Sequence, residues 1–321
     1  MKNVLVTGGA GFIGSNLCDF LSKKNFKVFA IDDLSVGKKK NISSNKKIKF
    51  YKIDVNKIDK LNNLGKIDVI IHLAAKAEIL IQKNKENIYS HSNLSGLQSI
   101  LNFSNVNKIK KFIFASSASV YGNTKNKKIN ENFPLNPEHF YAYTKVVGEK
   151  MVENYCKINK INFTIFRFFN IYGKRSNAVV AKFIAQNLQK KKITIYGNGK
   201  QKRDFIYIND LNDAIYKSIK DKKNKNKIYN LGAGKAVSIL KLKSIISPKK
   251  NHIFLARRND DIEISISNND KITKDLKWKP KTDFQEGVNK TRMLDKTRLS
   301  KVKLTSVKKQ KALIKQFNKN I

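Results

Sequence analysis

Tyr141 and Lys145 stand four residues apart in the segment YAYTK. On a helix that spacing puts both side chains on one face, while Tyr143 faces elsewhere. An ammonium beside a phenol favours the phenolate and draws its pKa down from about 10. Such a phenolate can take a proton from a hydroxyl as a general base. Ser117 lies in SSASVYG, directly after the apolar run KFIFA, at a strand end where ligands of open α/β sheets bind.

The opening VLVTGGAGFIGSNL places Gly8, Gly11 and Gly14 at three-residue spacing, after a strand pattern and into a helix pattern. A turn this tight needs residues without Cβ. The helix N-terminus offers NH groups and a positive dipole end to a pyrophosphate. Asp32 ends the next strand pattern, KVFAIDD, where a carboxylate can accept from ribose hydroxyls and repel a 2′-phosphate. That favours NAD over NADP, and lysines 38–40 nearby soften the preference. Asp54 ends the third strand pattern and suits an adenine amino group; a plain strand-end cap is the alternative.

These groups need a scaffold. Apolar runs predict strands over 3–7, 27–31, 48–53, 69–73, 112–115 and 163–168, several without alternation, as in strands buried on both faces. Helix patterns fall between them over 13–24, 86–105 and 142–157. The repetition predicts a Rossmann-type α/β fold, a doubly wound parallel sheet. After about residue 170 the rhythm changes to a smaller α+β region. There we expect helices over 178–190, 209–219, from Ser238 and over 269–276, with strands over 227–231 and 253–256. The expected division is a cofactor domain over 1–170, with 204–231 returning to it. A substrate domain takes 171–203 and 232–289, and a basic tail takes 290–321.

The 321 residues carry 66 Lys+Arg against 24 Asp+Glu, a net charge of +42. Hydrophobic residues make up 40%, enough for a sizeable core and too many for a disordered chain. Cys18 and Cys156 are too few for a disulfide scaffold and fit a reduced, cytoplasmic setting. There is no membrane-length apolar run, and MKNVLVTGG enters a strand pattern without a signal peptide. No metal-ligand pattern stands out. The charge invites a nucleic-acid reading. Only seven of the basic residues are Arg; the Lys rise together with Asn and Ile, as biased composition would produce. The tail from Lys290 is the one concentrated stretch, a basic amphipathic helix or a frayed extension.

Taken in order, TGGAGFIGSN, AIDDLSVG, IIHLAA, SNLSG, FIFASSASVYG, YAYTK, RFFNIYGKR, IYGNGKQKRDFIYI and the ARRNDD…NNDKITKDLKWKPK stretch span residues 1 to about 287. The sequence resembles the NAD-dependent nucleotide-sugar epimerase/dehydratase family of extended short-chain dehydrogenases, typified by UDP-glucose 4-epimerase. The resemblance implies Gly8, Gly11, Phe12 and Ile13 at the cofactor pyrophosphate, and Asp32 and Asp33 at its adenosine ribose. It implies Asp54 and Val55 at the adenine, with Leu73, Ala74, Ala75 and Asn93 lining the cofactor. Ser117 would bond the reacting sugar hydroxyl, Tyr141 would be the base, and Lys145 its activator and a nicotinamide-ribose ligand. Phe168 falls on the nicotinamide side, and Asn170, Arg203, Arg258 and Asp261 on the substrate nucleotide diphosphate and ribose. Arg is the better diphosphate clamp, and its scarcity here makes these placements telling.

Dehydratases of the family carry an acid and a base beside the catalytic Ser/Thr; Ser116-Ser117-Ala118-Ser119 has no carboxylate. The resemblance therefore implies a 4-epimerase of a UDP-hexose or UDP-N-acetylhexosamine, an isomerase. Ser265 falls where a small residue widens the sugar pocket. The alternatives are a UDP-uronate epimerase or decarboxylase and, from another class, an NAD-binding protein of RNA or anionic surfaces. The family implies a homodimer through the helices over 86–105 and 142–157. Departures are Phe140 for a common Pro, Phe168 for a common Tyr and Asp260 for a common Gly.

Overall fold

The computed structural model describes residues 2–61, 64–77, 86–124, 128–249, 251–258 and 261–319. Val4, Leu5 and Val6 are fully buried, because helices cover both faces of the strand they form. That strand, β1 (Asn3–Thr7), is followed by α1 (Phe12–Lys23), β2 (Lys27–Asp32), β3 (Ile48–Lys52) and β4 (Val69–His72). Then come α2 (Glu86–Tyr89), α3 (Gly96–Val106), β5 (Lys111–Ser117), β6 (Lys128–Ile129), α4 (Phe140–Ile158) and β7 (Asn162–Phe168). Next are β8 (Asn170–Tyr172), α5 (Val179–Leu188), β9 (Ile193–Tyr196), β10 (Lys202–Tyr207), α6 (Ile208–Lys220) and β11 (Lys227–Leu231). The remaining elements are β12 (Ala236–Ser238), α7 (Ile239–Ile246), β13 (His252–Leu255), β14 (Ile264–Ser267), α8 (Asp270–Leu276), α9 (Phe284–Lys301) and α10 (Val307–Lys319).

Seven strands form one sheet in the order β11-β7-β5-β4-β1-β2-β3, every pair parallel. This is the doubly wound Rossmann-type fold expected. On one face Leu17, Leu21, Leu211 and Ile215 of α1 and α6 pack on Val4, Val6 and Val28. On the other, Leu97, Ile100, Val152 and Cys156 of α3 and α4 pack on Leu5, Ile70 and Phe112. The strand order reverses between β1 and β4, which opens a crevice at their carboxyl ends. A second sheet runs β12-β10-β14-β6, with β8 also paired to β10. β9 and β13 form a separate parallel pair.

Three expectations need correction. The helix expected over 86–105 is interrupted by a π-helical turn, Ser90–Ser95. The turn aims Asn93 inward, where its Oδ1 accepts from the Lys76 backbone NH at 2.8 Å. Such bulges serve to redirect one side chain within a helix. The tail boundary at Lys290 falls inside α9, because Val288, Thr291, Asp295 and Leu299 are buried. Arg298 fastens that helix by donating to both Asp295 oxygens and to the Ser176 carbonyl. Beyond it α10 is folded, not frayed: Gln310 and Ile314 are buried, and Gln310 Oε1 accepts from Lys182 Nζ at 3.2 Å and Tyr196 OH at 3.3 Å. Finally, β8, β9, β10, β12 and β14 were not anticipated as strands. Among the described residues no helix is long and apolar enough to cross a membrane.

Candidate active site

Gly8 turns the chain out of β1 with φ of +66°. A Cβ there would lie 2.9 Å from the Ala74 nitrogen, so the loops after β1 and β4 touch only because Gly8 has none. At Gly14 a Cβ would reach within 2.1 Å of the Gly8 carbonyl oxygen. This close packing aims the start of α1 into a cavity of about 300 Å³. Gly8, Gly11, Phe12, Ile13, Asp32, Asp33, Asp54, Val55, Leu73, Ala74 and Ala75 all line it. Asp32 is buried; its oxygens accept from the Ala10 NH at 3.0 Å and the Leu34 NH at 2.8 Å, and burial raises its pKa despite these bonds. Asp33 Oδ1 accepts from the Ser35 NH and hydroxyl. Asp54 caps the turn Val55–Lys60 through the Asn56 NH, so the strand-end cap and a place on the cavity wall coexist.

An apolar slot, a glycine-lined helix start and a carboxylate at the end of β2 fit a dinucleotide: slot for adenine, helix start for pyrophosphate, carboxylate for ribose. Two expectations change. Asn93 sits behind the wall rather than on it, tying Lys76 NH and O and the Thr144 hydroxyl together. Lysines 38–40 do not line the cavity; Lys76 does, and its Nζ donates to Ser35 Oγ at 2.7 Å. A lysine in the crevice after β4 was missed because nothing local marks it.

The second cavity, about 200 Å³, opens at the carboxyl end of β5. Ser117, Phe168, Asn170, Arg203, Arg258 and Ser265 line it. β5 thus delivers Ser117, β7 and β8 deliver Phe168 and Asn170, and β10 and β14 deliver Arg203 and Ser265, which face each other in register. Ser117 Oγ caps the following turn by accepting from the Ser119 NH at 3.2 Å and hydroxyl at 2.9 Å. Tyr141 stands in the first turn of α4, close enough to Ser117 for that hydroxyl to favour the phenolate. Lys145, one turn on, is buried, with Nζ 5.7 Å from the Tyr141 ring centre and donating to the Ala115 carbonyl at 2.8 Å.

The phenol is not poised as expected. Burial pushes Tyr141 up to about 12, and the Ser117 hydroxyl opposes this only in part. Burial likewise pushes Lys145 down to about 8, with Glu149 opposing. Both shifts come from water exclusion, which disfavours the charged form of either group.

Asp261 lies apart from the expected diphosphate and ribose set. It lines a neighbouring cavity with Gln201 and Arg257, and its carboxylate pairs with Arg203. Asp260 lies outside the described residues. Two side chains not anticipated line the Ser117 cavity, Glu138 and His139. Glu138 Oε1 accepts from the Asn123 NH at 3.0 Å. His139 caps α4, its Nδ1 accepting from the Ala142 NH at 3.1 Å, and its ring stacks near Tyr141. Their position just before YAYTK is the only sequence signal that would have found them. Among the described residues no cluster suits a metal ion, and Cys18 and Cys156 are buried free thiols.

Residues 4–232 match the NAD dependent epimerase/dehydratase family, and the chain belongs to it. NAD, the family's cofactor, is the dinucleotide that the crevice fits. A putative UDP-glucose 4-epimerase of Methanocaldococcus jannaschii is 34% identical over 300 residues, 89% of this chain and 96% of that protein. Among solved structures, a UDP-N-acetylglucosamine 4-epimerase from Methanobrevibacter ruminantium M1, in complex with UDP-N-acetylmuramic acid, is 31% identical. It covers 92% of this chain and 99% of its own with a TM-score of 0.85. A UDP-glucuronic acid 4-epimerase from Bacillus cereus, with UDP-glucuronic acid and NAD, is 30% identical. It covers 92% and 100% of the two chains with a TM-score of 0.86.

Proposed function

We propose that this protein is an isomerase that inverts C4 of a UDP-hexose or UDP-N-acetylhexosamine. The observation that carries the reading is the convergence of Ser117, Arg203, Arg258 and Ser265 on one cavity, with Tyr141 beside Ser117. NAD, when bound, supplies a hydride acceptor that returns the hydride within the same turnover. Tyr141 takes the proton of the C4 hydroxyl and gives it back. Ser117 bonds that hydroxyl and the phenol together, which holds the proton path short. Lys145 contributes positive charge as the phenolate forms, a charge worth more in a water-free site. Arg203 and Arg258 hold the substrate diphosphate, leaving the sugar free to turn and present its other face. Ser265 leaves room for an N-acetyl group.

The wall from Ser117 to Ser119 lacks the carboxylates that water elimination needs. Glu138 is the nearest acid on the cavity and is engaged with a backbone NH. A UDP-uronate 4-epimerase is the second reading, favoured by His139 on the same cavity, a ring suited to a sugar carboxylate. The division into cofactor and substrate parts belongs to the proposal, as does a homodimer through α2–α3 and α4. Exposed Ile88, Val106, Tyr143 and Ile158 lie on those helices. The test is a screen of UDP-, dTDP-, GDP- and CDP-sugars with products identified by NMR. Turnover of UDP-glucose alone would remove the wide-pocket element, and turnover of UDP-glucuronate alone would favour the second reading.

A further inference from the structure

Ser116, one residue before Ser117, is buried, and its hydroxyl donates to Glu149 Oε1 at 2.5 Å. Glu149 stands on α4 one turn beyond Lys145 and is 1% exposed. Arg167 of β7 grips it with two parallel bonds, Nε to Oε1 at 2.9 Å and Nη2 to Oε2 at 2.7 Å. The guanidinium also donates to the Tyr121 hydroxyl at 2.8 Å, which donates on to Asn230 Oδ1 at 2.7 Å. Neither Glu149 nor Arg167 lines either ligand cavity.

A buried ion pair is a poor stabiliser compared with well-packed apolar residues, so it invites a reason beyond stability. Here the reason is geometric. Lys145 bonds the carbonyl of Ala115 and Glu149 bonds the hydroxyl of Ser116. These are two successive ties between the helix that carries Tyr141 and the strand end that carries Ser117. We propose that Glu149 is a positioning residue for the reaction, setting Ser117 against Tyr141 and facing the Lys145 ammonium with negative charge. The proposal rests on the epimerase reading for its kinetic consequence only.

The surroundings of Lys145 leave that charge little other support. From α4 it meets Tyr141 and Glu149. From β5 it meets the Ala115 carbonyl and the Phe114 ring, 4.9 Å away. From β4 it meets His72, which burial and the lysine itself hold near 3 and therefore uncharged. From β7, Arg167 is engaged with Glu149. Burial drives Lys145 toward losing its proton, and Glu149 opposes that loss.

Removing Glu149 alone leaves Arg167 buried and unpaired and endangers folding. The variant to use is the double exchange Glu149→Met with Arg167→Met, of similar volume and no net charge change. In protein labelled with ¹³C at the lysine ε-carbon, Lys145 is assigned by comparison with Lys145→Met and titrated by NMR. Its midpoint should fall by about one pH unit, a tenfold loss of proton affinity. An unchanged midpoint in a folded double variant overturns the electrostatic part. Ser116→Ala, which keeps both charges, should lower kcat about tenfold with KM held and leave that midpoint in place. Unaltered kcat overturns the positioning part. If the native chain turns over no nucleotide-sugar, the epimerase reading fails, while the NMR midpoint still decides the role of Glu149.

Discussion

Lys145 Nζ donates to the carbonyl of Ala115 at 2.8 Å, two residues before Ser117 on the same strand end. The bond sets the register of α4 over β5, so Tyr141 reaches Ser117 instead of the solvent. It also leaves the ammonium 5.7 Å from the centre of the phenol ring.

Tyr141→Phe removes the proton-transfer group and little else. NAD should stay bound, while kcat should fall by about 10² to 10⁴. Turnover with purified protein, alongside cofactor content by absorbance, checks this. Near-normal activity would remove Tyr141 from its role.

Gly14→Val tests the cradle. The Cβ alone would overlap the Gly8 carbonyl, so the turn after β1 has to open. Loss of bound NAD and a lower Tm are the expected result, read from the absorbance ratio of the purified protein and from calorimetry. Retained NAD would mean that the helix start does not hold the pyrophosphate.

Arg203→Met and Arg258→Met should each raise KM for a UDP-sugar. Charge-assisted hydrogen bonds are worth about 1.5–3 kcal/mol, which corresponds to roughly ten- to a hundredfold. Steady-state kinetics would show the rise with kcat changed far less. Arg203 already pairs with Asp261. Asp261→Ala would therefore disturb the aim of Arg203 and raise KM as well.

Stability should rise with pH from about 7.5 to about 9. Burial holds Lys111 and Lys145 near 8 in the folded chain, against 10.5 ordinarily. Across that window the unfolded chain binds more protons, so ΔG of unfolding increases with pH. Above it, Cys18, Cys156 and buried tyrosines oppose the gain, because burial raises their folded pKa and the unfolded chain ionises first. Urea midpoints at pH 7.5, 8.25 and 9 read the slope, and Lys111→Met should flatten it. A midpoint that falls over the same interval would contradict the burial of these ammoniums.

Much of the dinucleotide crevice was legible because its signals are local. Val4–Val6 and the glycines at 8, 11 and 14 fall in one short stretch, and Tyr141 and Lys145 are one helical turn apart. The cavity at Ser117 depends on partners distant in sequence. Arg203 and Ser265 meet only because β10 pairs with β14. β8 is three residues long and β14, although it alternates as ISIS, only four, too short for a pattern to stand out in a single sequence. The raised Tyr141 pKa was not legible either, since it follows from burial by the whole fold. The tail after Lys290 became parts of two helices.

The most direct measurement is ¹H NMR of UDP-glucose and UDP-N-acetylglucosamine, incubated separately with the purified chain and only its bound NAD. Each should give its C4 epimer, accumulating to a constant ratio, with no net NADH and no loss of water. A 4-keto-6-deoxy product, or no change in either nucleotide-sugar, would contradict the proposed epimerase.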